Sequence, residues 1–401
     1  MKASNIILFI LIITISPIIF QNNIYASSDM PEDIKDKILS GIDSLYQLEY
    51  DEAKTKFRYV AKNYRDRPIA YFYLAMVEWI KLSEDKNDET ANKNFDYYIN
   101  EAVKTGETLY NSKNATSMDI FYYAGALGFS ARNTIQKHEW VKAYFMGKKA
   151  LDLMDEAIEK DPNNYDAYLG RGMYHYFADR LPNFLKDVMK SFDIKGDAKK
   201  GLTELNMVAE KGLFAKTEAK ALLVYIYTWY EKNFAKAMKI TDELIKQYPN
   251  NLSFYHSKLY LYFGVRDFKN AQKVLATYKS VLKKMPKDEQ KRWSYKYYFY
   301  VGRTLFEMGK YADCMKYFRK VIVLREKYLY TCRYTAWAML RMGMCFDMDG
   351  NRDNALELYK QVIKTDIVGN TRTLAEEFTN KAFYKGDPRA KPSENKNAFI
   401  P

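Results

Sequence analysis

The sequence predicts an all-α protein, built as a solenoid of about eight helix pairs. Two stretches, 218–251 and 252–285, align on each other at a spacing of 34 residues. The segment Phe234-Ala-Lys-Ala237 of the first recurs as Phe268-Lys-Asn-Ala271 in the second. A fixed period of this length indicates stacked helical hairpins, each of which is too small to bury its own apolar face. The roughly 375 residues that follow residue 26 also exceed what one compact core holds, which favours a core running along a stack.

The pattern recurs along most of residues 31–370, so the helix pairs can be placed in order. They are predicted to begin near Glu32, Pro68, Met118, Tyr165, Glu218, Leu252, Tyr295 and Ala336. The first helix of several pairs carries a small residue where the paired helices approach most closely: Ala75, Gly172, Gly302 and Gly343. A larger side chain at these positions would push the two helix axes apart. Polar segments at 83–89 and 111–117 predict loops, because Ser, Asn and Asp favour turns and helix caps.

The amino terminus is predicted to be a secretory signal peptide covering residues 1–26. An apolar run from Ile6 to Ile15 follows Lys2, and Tyr25-Ala26-Ser27 offers a small-residue cleavage site. The run is shorter than the ~20 residues that a membrane-spanning helix requires. We therefore expect an exported protein, in the periplasm or outside the cell, with an uncleaved anchor as the alternative.

Two further segments depart from the repeat. Residues 180–196 form an insertion with its own amphipathic helix, whose apolar side chains are Phe184, Leu185, Val188 and Phe192. Residues 384–401 are predicted to be a disordered tail, because the sequence there is rich in Asn, Lys and Pro. The solenoid is accordingly expected to cover residues 27–383, and no low-complexity linker divides it.

The sequence lacks the residue patterns that a zinc site and a phosphate-binding loop require. The only histidines are His138, His175 and His256, and none lies three or four residues from another His or from a Cys, as a zinc site on one helix requires. No Gly-rich segment ends in the Lys-Ser/Thr pair of a phosphate-binding loop. We therefore expect no catalytic residues, no metal and no cofactor.

Three cysteines, Cys314, Cys332 and Cys345, crowd into the last two repeats. Cys332 and Cys345 are predicted to share a helix, where a rise of ~1.5 Å per residue separates them by about 20 Å, too far for a disulfide. A bond between Cys314 and Cys332 is sterically conceivable. The alternative is that all three thiols fill helix contacts as small apolar residues.

The formal net charge is +13, and most of the excess lies in one region. Residues 269–333 contain 17 basic and five acidic side chains. Such a concentration can attract acidic protein or anionic lipid, whereas nucleic acid is not an expected partner. Solvated lysines on exposed helix faces explain the same count equally well.

The repeat also resembles a known family. Gly309-Lys-Tyr311 with Cys314 and Phe318, and Asp161-Pro-Asn-Asn164 after Ala157, follow the order of small, aromatic and Pro residues of the tetratricopeptide repeat. The segment Tyr168-Leu-Gly-Arg-Gly-Met-Tyr-His-Tyr176 is similar to exported bacterial members. It is more distantly similar to a eukaryotic family of inclusion-body clearance and the mitochondrial outer membrane. This resemblance implies a right-handed superhelix whose members are mostly non-catalytic adapters.

The resemblance also implies a binding groove, because the first helix of each tetratricopeptide pair lines the concave face. The family's groove positions fall on Phe72, Trp79, Tyr122, Phe129, Met173, Tyr176, Trp229, Tyr260, Phe263, Lys296 and Arg303. In the members that bind chaperone tails, Lys and Asn clamp a terminal carboxylate. Only Lys296 and Arg303 are comparable, and the partner Asn is missing, so such a clamp is not supported.

We therefore expect an exported, non-catalytic scaffold that binds a protein segment in an aromatic groove, since aromatic rings bury large areas at low entropic cost. One alternative is a periplasmic carrier of an apolar or lipid-like ligand. Another is a peripheral component of an envelope assembly that uses the basic region. A third possibility is that the rings are simply core.

Overall fold

The computed structural model describes residues 30–84, 88–136, 139–180, 196–328, 333–365 and 370–390. Within these ranges the chain forms 17 α-helices and two short 3₁₀ turns, and the same ranges contain no strand. The all-α prediction is therefore confirmed. The predicted signal peptide, the apolar residues of the predicted insertion helix and residues 391–401 lie outside the described ranges. No described helix is long and apolar enough to cross a bilayer.

The chain divides into two compact units, residues 1–223 and 224–401, and the boundary falls inside a helix. The helices of unit 1 are α1 (Glu32–Tyr46), α2 (Tyr50–Asn63), α3 (Pro68–Glu84), α4 (Glu89–Asn111), α5 (Ser117–Gln136), α6 (Trp140–Lys160), α7 (Tyr168–Asp179), α8 (Ala198–Lys211) and the start of α9 (Lys216–Trp229). Consecutive helices pack as pairs, α1 on α2, α3 on α4, α5 on α6 and α7 on α8. Four hairpins therefore build unit 1.

Unit 2 continues the same construction. Its helices are the end of α9, α10 (Phe234–Gln247), α11 (Leu252–Gly264), α12 (Phe268–Lys284), α13 (Lys287–Glu307), α14 (Tyr311–Tyr328), α15 (Arg333–Met348), α16 (Arg352–Ile363) and α17 (Asn370–Asn380). The first helices α11, α13 and α15 also pack side by side. Side chains of three successive pairs are thereby brought onto one face.

Side-chain caps mark the starts of several helices, where a polar segment is followed by the periodic pattern of apolar residues. Asp88, Asp197, Asn233 and Asp267 each accept a hydrogen bond from the backbone N–H three residues further on. The main difference from the prediction is α13, which begins at Lys287 rather than near Tyr295. Pro286 and the acidic residues that follow it favour an earlier helix start than the repeat alignment indicated.

The small residues lie where the helices of a pair meet, as predicted. A Cβ placed on Gly302 would lie 2.7 Å from Cε1 of Phe318, and one placed on Gly343 would lie 2.5 Å from Cε1 of Tyr359. Phe318 and Tyr359 are fully buried on the second helix of each pair. Each glycine therefore makes room for the ring that fills its hairpin.

The carboxyl-terminal part of the described chain folds back on α17. Residues 388–390 form a 3₁₀ turn, and the Arg389 guanidinium donates to the backbone carbonyls of Glu377, Lys381 and Ala382. Phe383 is buried. The first residues assigned to the tail, 384–390, thus have defined backbone structure.

Candidate ligand-binding faces

Unit 1 brings several of the predicted groove residues into one aromatic cluster. The ring of Phe72 on α3 lies 5.2 Å from Tyr122 and 5.9 Å from Phe129 of α5, and Trp79 lies 5.4 Å from Phe129. Phe72, Trp79 and Phe129 are half-buried, so part of each ring is open to a partner. These three residues form an aromatic face on α3 and α5.

Tyr122, by contrast, belongs to the core. It is 1% exposed, and its hydroxyl lies 3.0 Å from that of Tyr73. Burial raises the pKa of both phenols, so both stay protonated and can share this hydrogen bond. The predicted position is on the expected helix, but its ring packs inward.

Met173 and Tyr176 lie on α7. Tyr176 is fully buried, and its backbone lies so close to α8 that a Cβ on Gly201 would be 2.5 Å from the Tyr176 nitrogen. Met173 is half-buried. Tyr176 is therefore a packing residue of the α7–α8 hairpin, and only Met173 of the two presents a surface.

Unit 2 holds the remaining predicted residues. Trp229 and Tyr260 are half-buried with their ring centroids 5.5 Å apart, and Phe263 is buried 6.3 Å from Tyr260. Arg303 of α13 lies over this group, with its guanidinium 4.9 Å from the Tyr260 centroid and 4.3 Å from that of Phe263. A guanidinium over two ring faces is held by cation–π attraction. Four predicted residues from three helices are thus brought together.

Lys296 lies two turns before Arg303 on α13 and is also buried. Its ammonium is 4.0 Å from the Trp293 ring centroid. Burial, and then the Lys296 charge, lower the pKa of the neighbouring His256, so this histidine is neutral. His256 lies 3.0 Å from the Tyr278 hydroxyl and packs against Trp293, which makes it a packed core residue.

The sequence analysis missed one candidate binding residue, Arg341 on α15. Its guanidinium lies 4.9 Å from the Trp337 ring, and the residue is only 8% exposed. Burial, and then the positive charge of Arg303, lower the pKa of Arg341 to about 10. The one recognisable signal in the sequence is that Arg341 is the single charged residue between Ala336 and Cys345.

We call Tyr260, Phe263, Arg303, Trp337 and Arg341 the cationic aromatic face. In the described part of the chain neither arginine donates a hydrogen bond to a protein group, and each Nε is buried without a partner. The nearest described carboxylate is that of Glu307, with Oε1 3.8 Å from Nη2 of Arg341. The face therefore presents unused N–H donors and excess positive charge beside apolar rings.

Most other cations of the basic region are on the surface. Eleven of the described ones are exposed: Lys269, Lys273, Lys279, Lys283, Lys284, Lys287, Lys291, Lys310, Lys316, Arg319 and Lys320. This placement is what solvated helix faces require, so net charge alone does not identify a binding site. The buried cations of α13 and α15 are the distinctive ones.

Cys314 lies on α14 and Cys345 on α15, and both are buried with their sulfur atoms 3.4 Å apart. The pairing left open by the sequence, Cys314 with Cys332, involves a residue outside the described ranges. Among the described His, Cys, Asp and Glu side chains, no group of three could hold a metal ion.

The paired helices with capped turns and small-residue contacts define a helical-repeat protein. Two segments, 296–366 and 219–251, match sequence models of the tetratricopeptide repeat. These two segments of the chain contain tetratricopeptide repeats, as the sequence predicted. The longer match contains the arginines of the cationic aromatic face. Proteins with these repeats are typically non-catalytic scaffolds for protein interaction, and the repeats support that coarse function here.

The other comparisons are distant. The search of curated proteins found no match. Among solved structures, the chain is similar to the TPR domain of P58(IPK), with 13% identity over 87% of this chain and 89% of that one, at a TM-score of 0.23. It is also similar to yeast Tom70, with 11% identity over 88% and 89% of the two chains, at a TM-score of 0.27. Neither alignment bears on the interpretation at such scores.

Proposed function

We propose that this protein is a non-catalytic scaffold that binds an acidic segment of a partner protein on the cationic aromatic face of unit 2. The observation that carries the proposal is the pair of buried guanidinium groups, Arg303 and Arg341. Buried charges in proteins are normally paired and hydrogen-bonded, because leaving water is otherwise costly. A partner carboxylate would supply the missing acceptors.

The same chain pairs its buried cations elsewhere. In unit 1 the buried Lys54 ammonium lies 2.5 Å from Oε1 of the buried Glu78. Arg171 similarly places its Nε 2.8 Å from Oε1 of Glu204. These contacts are short and direct, in contrast to the 3.8 Å approach of Glu307 to Arg341. Among the described residues, Arg303 and Arg341 differ from these closely paired cations, which favours binding over a purely structural role.

The rings beside the arginines fit the same ligand class. Tyr260, Trp337 and Trp229 are half-buried, so each retains open surface for a side chain of a bound segment. Aromatic and Arg side chains dominate binding energies at protein interfaces because they combine large contact area with directed hydrogen bonds. An extended or helical segment that carries Asp or Glu next to apolar residues would satisfy both parts of the face.

Site-specific photo-crosslinking tests the proposal. A benzophenone amino acid placed at Tyr260 of the full chain, in its native host, should yield one crosslinked protein that mass spectrometry can identify. The matched control is the same probe at Tyr97 of unit 1, which is 58% exposed and far more accessible. Crosslinks from Tyr97 report random collisions.

The proposal fails if Tyr260 yields only the products that Tyr97 yields. If a specific protein is found, replacing Asp and Glu by Asn and Gln in its crosslinked segment should weaken binding at least tenfold, about 1.4 kcal/mol. The binding should also weaken as salt is added, since part of the attraction is electrostatic. A crosslinked lipid instead of a protein would favour the carrier alternative.

We also propose that the protein is exported. The apolar run at residues 6–15 and the small residues around Ala26 support a cleaved signal. Amino-terminal sequencing of the native protein should find a start at Ser27. A native protein that begins at Met1 would contradict cleavage.

A further inference from the structure

Two buried cysteines face each other across consecutive helices of unit 2. Cys314 is 0% exposed on α14 and Cys345 is 1% exposed on α15, and their sulfur atoms are 3.4 Å apart. A disulfide has an S–S distance of about 2.05 Å, so the two atoms need to approach by about 1.4 Å.

We infer that Cys314 and Cys345 form a disulfide when the chain folds under oxidising conditions, and that this bond joins α14 to α15. The alternative is that the two thiols remain as small buried side chains. In that reduced state the Cys314 thiol already has a place to donate, the Tyr311 carbonyl at 3.1 Å. The structure thus accommodates both redox states of the pair, and the compartment decides between them.

The bond forms by two thiol–disulfide exchanges with an oxidised partner such as glutathione disulfide or the disulfide of an oxidoreductase. The Cys314 thiolate attacks one sulfur of that disulfide, forms a mixed disulfide and releases one thiol. The Cys345 thiolate then attacks the Cys314 sulfur, which closes the new bond and releases the second thiol. Two electrons pass from the cysteines to the oxidant, and both cysteine protons are lost to solvent or to the departing thiols.

The burial of the two thiols determines at which stage of folding the bond can form. The hydrogen bond with Cys314, and then burial, raise the pKa of Cys345, so the folded protein holds almost no thiolate there. Because the thiolate is the reactive form, the bond should form before α14 packs on α15, and the folded reduced protein should oxidise slowly. Once formed, the bond is shielded from external thiols by the same packing.

The bond also restrains α15, the helix that carries Arg341 of the cationic aromatic face. Arg341 lies one helical turn before Cys345 on α15. A bond between Cys314 and Cys345 closes the chain segment 314–345, which reduces the freedom of the unfolded state. The oxidised protein should therefore unfold at a higher temperature than the reduced protein.

The experiment uses the purified full chain, refolded from the reduced state with mixed oxidised and reduced glutathione. After alkylation of free thiols, a non-reduced digest should contain the peptides of Cys314 and Cys345 linked, two hydrogens lighter than their sum, with Cys332 alkylated. The oxidised protein should melt several degrees above the reduced one. The same oxidant added to the folded reduced protein should give the link at least tenfold more slowly.

Two variants make the outcome decisive. Cys332→Ala should still form the linked peptide, and Cys314→Ala should leave Cys345 alkylated and remove the difference in melting temperature. A digest in which Cys314 is linked to Cys332 would overturn the inference. Recovery of Cys314 and Cys345 fully alkylated after oxidative refolding would overturn it equally.

Discussion

A substitution of Arg341 is expected to change the stability of the protein and its affinity for the partner in opposite directions. Replacing it by Met removes the buried charge and keeps an unbranched apolar side chain that can pack on Trp337 and its neighbours. We expect the Arg341→Met protein to be more stable than the wild type and to bind its partner at least tenfold more weakly. A residue selected to hold the fold together would show the opposite change in stability.

The size of the effect follows from the pKa. The pKa of Arg341 is lowered from the ordinary value of a guanidinium to about 10 in the folded chain, by burial and then by the charge of Arg303. At ~1.4 kcal/mol per pKa unit this corresponds to a burial penalty of about 3 kcal/mol for the charged form. The contacts with aromatic rings, including Trp337 at 4.9 Å, return about 1–2 kcal/mol. The Arg341→Met chain should therefore gain about 1–2 kcal/mol.

The pH dependence has a defined sign. Because the folded-state pKa of Arg341 is lowered, its charge opposes folding wherever the group is protonated in both states, which includes all pH values well below 10. The penalty is relieved only as pH rises above about 10, towards the higher pKa that the group has in the unfolded chain. The stability gain of Arg341→Met should thus be equal at pH 6 and at pH 8.

Urea unfolding, followed by hydrogen exchange of peptides from α13 to α15, measures the stability of this part of unit 2 directly. A spectroscopic signal from the whole chain would average the unfolding of all repeats, since a helical array need not unfold in one step. The control is Arg319→Met on the exposed side of α14, which should change stability by less than ~0.5 kcal/mol. A loss of stability in Arg341→Met, with Arg319→Met neutral, would show that the Arg341 charge is compensated and would refute the argument.

Three further substitutions test the packing of unit 1 by urea unfolding. Gly106→Ala should lower the free energy of unfolding by about 2 kcal/mol, because the new Cβ would lie 2.6 Å from Cβ of Tyr123. Gly128→Ala, whose Cβ has no atom within 4 Å, should instead raise it by about 0.5–1 kcal/mol through helix propensity. Asp166→Ala should cost at least about 2 kcal/mol, because the buried carboxylate accepts the backbone N–H groups of Leu213, Phe214 and Ala215. If Gly106→Ala and Gly128→Ala change stability alike, or Asp166→Ala leaves hydrogen exchange in α9 unchanged, these contacts do not form as described.

Much of the fold could be predicted from the sequence because its signals are local. The polar segment 111–117 predicted the break between α4 (Glu89–Asn111) and α5 (Ser117–Gln136), since Asn and Ser residues stop and cap helices. Gly302 and Gly343 marked close helix contacts because only a missing side chain admits the opposing ring. The early start of α13 was missed because repeat spacing does not describe a helix that extends beyond the repeat.

The candidate site was harder to predict, since it depends on contacts between separate repeats. The family pattern placed Arg303 on the correct helix but could not show that its guanidinium lies over Phe263 of the preceding pair. The same pattern placed Tyr122 in a groove, whereas its hydroxyl is bonded inside the core. Arg341 fell outside the family positions altogether. Its isolation in an apolar segment was visible, but its burial with Glu307 as a distant carboxylate is a property of the packed helices.

The contrast between the units explains why a scaffold would keep a feature that weakens it. Unit 1 pairs the buried Lys54 with the buried Glu78 at 2.5 Å. Unit 2 retains Arg303 and Arg341 over aromatic rings with only a distant carboxylate. On the proposed function, a partner that supplies an acceptor would recover the energy lost by that arrangement in the free protein, which would add to the affinity for acidic segments and disfavour neutral ones. A disulfide between α14 and α15 would offset part of the instability in the helix that carries Arg341, without neutralising the charge that recognition requires.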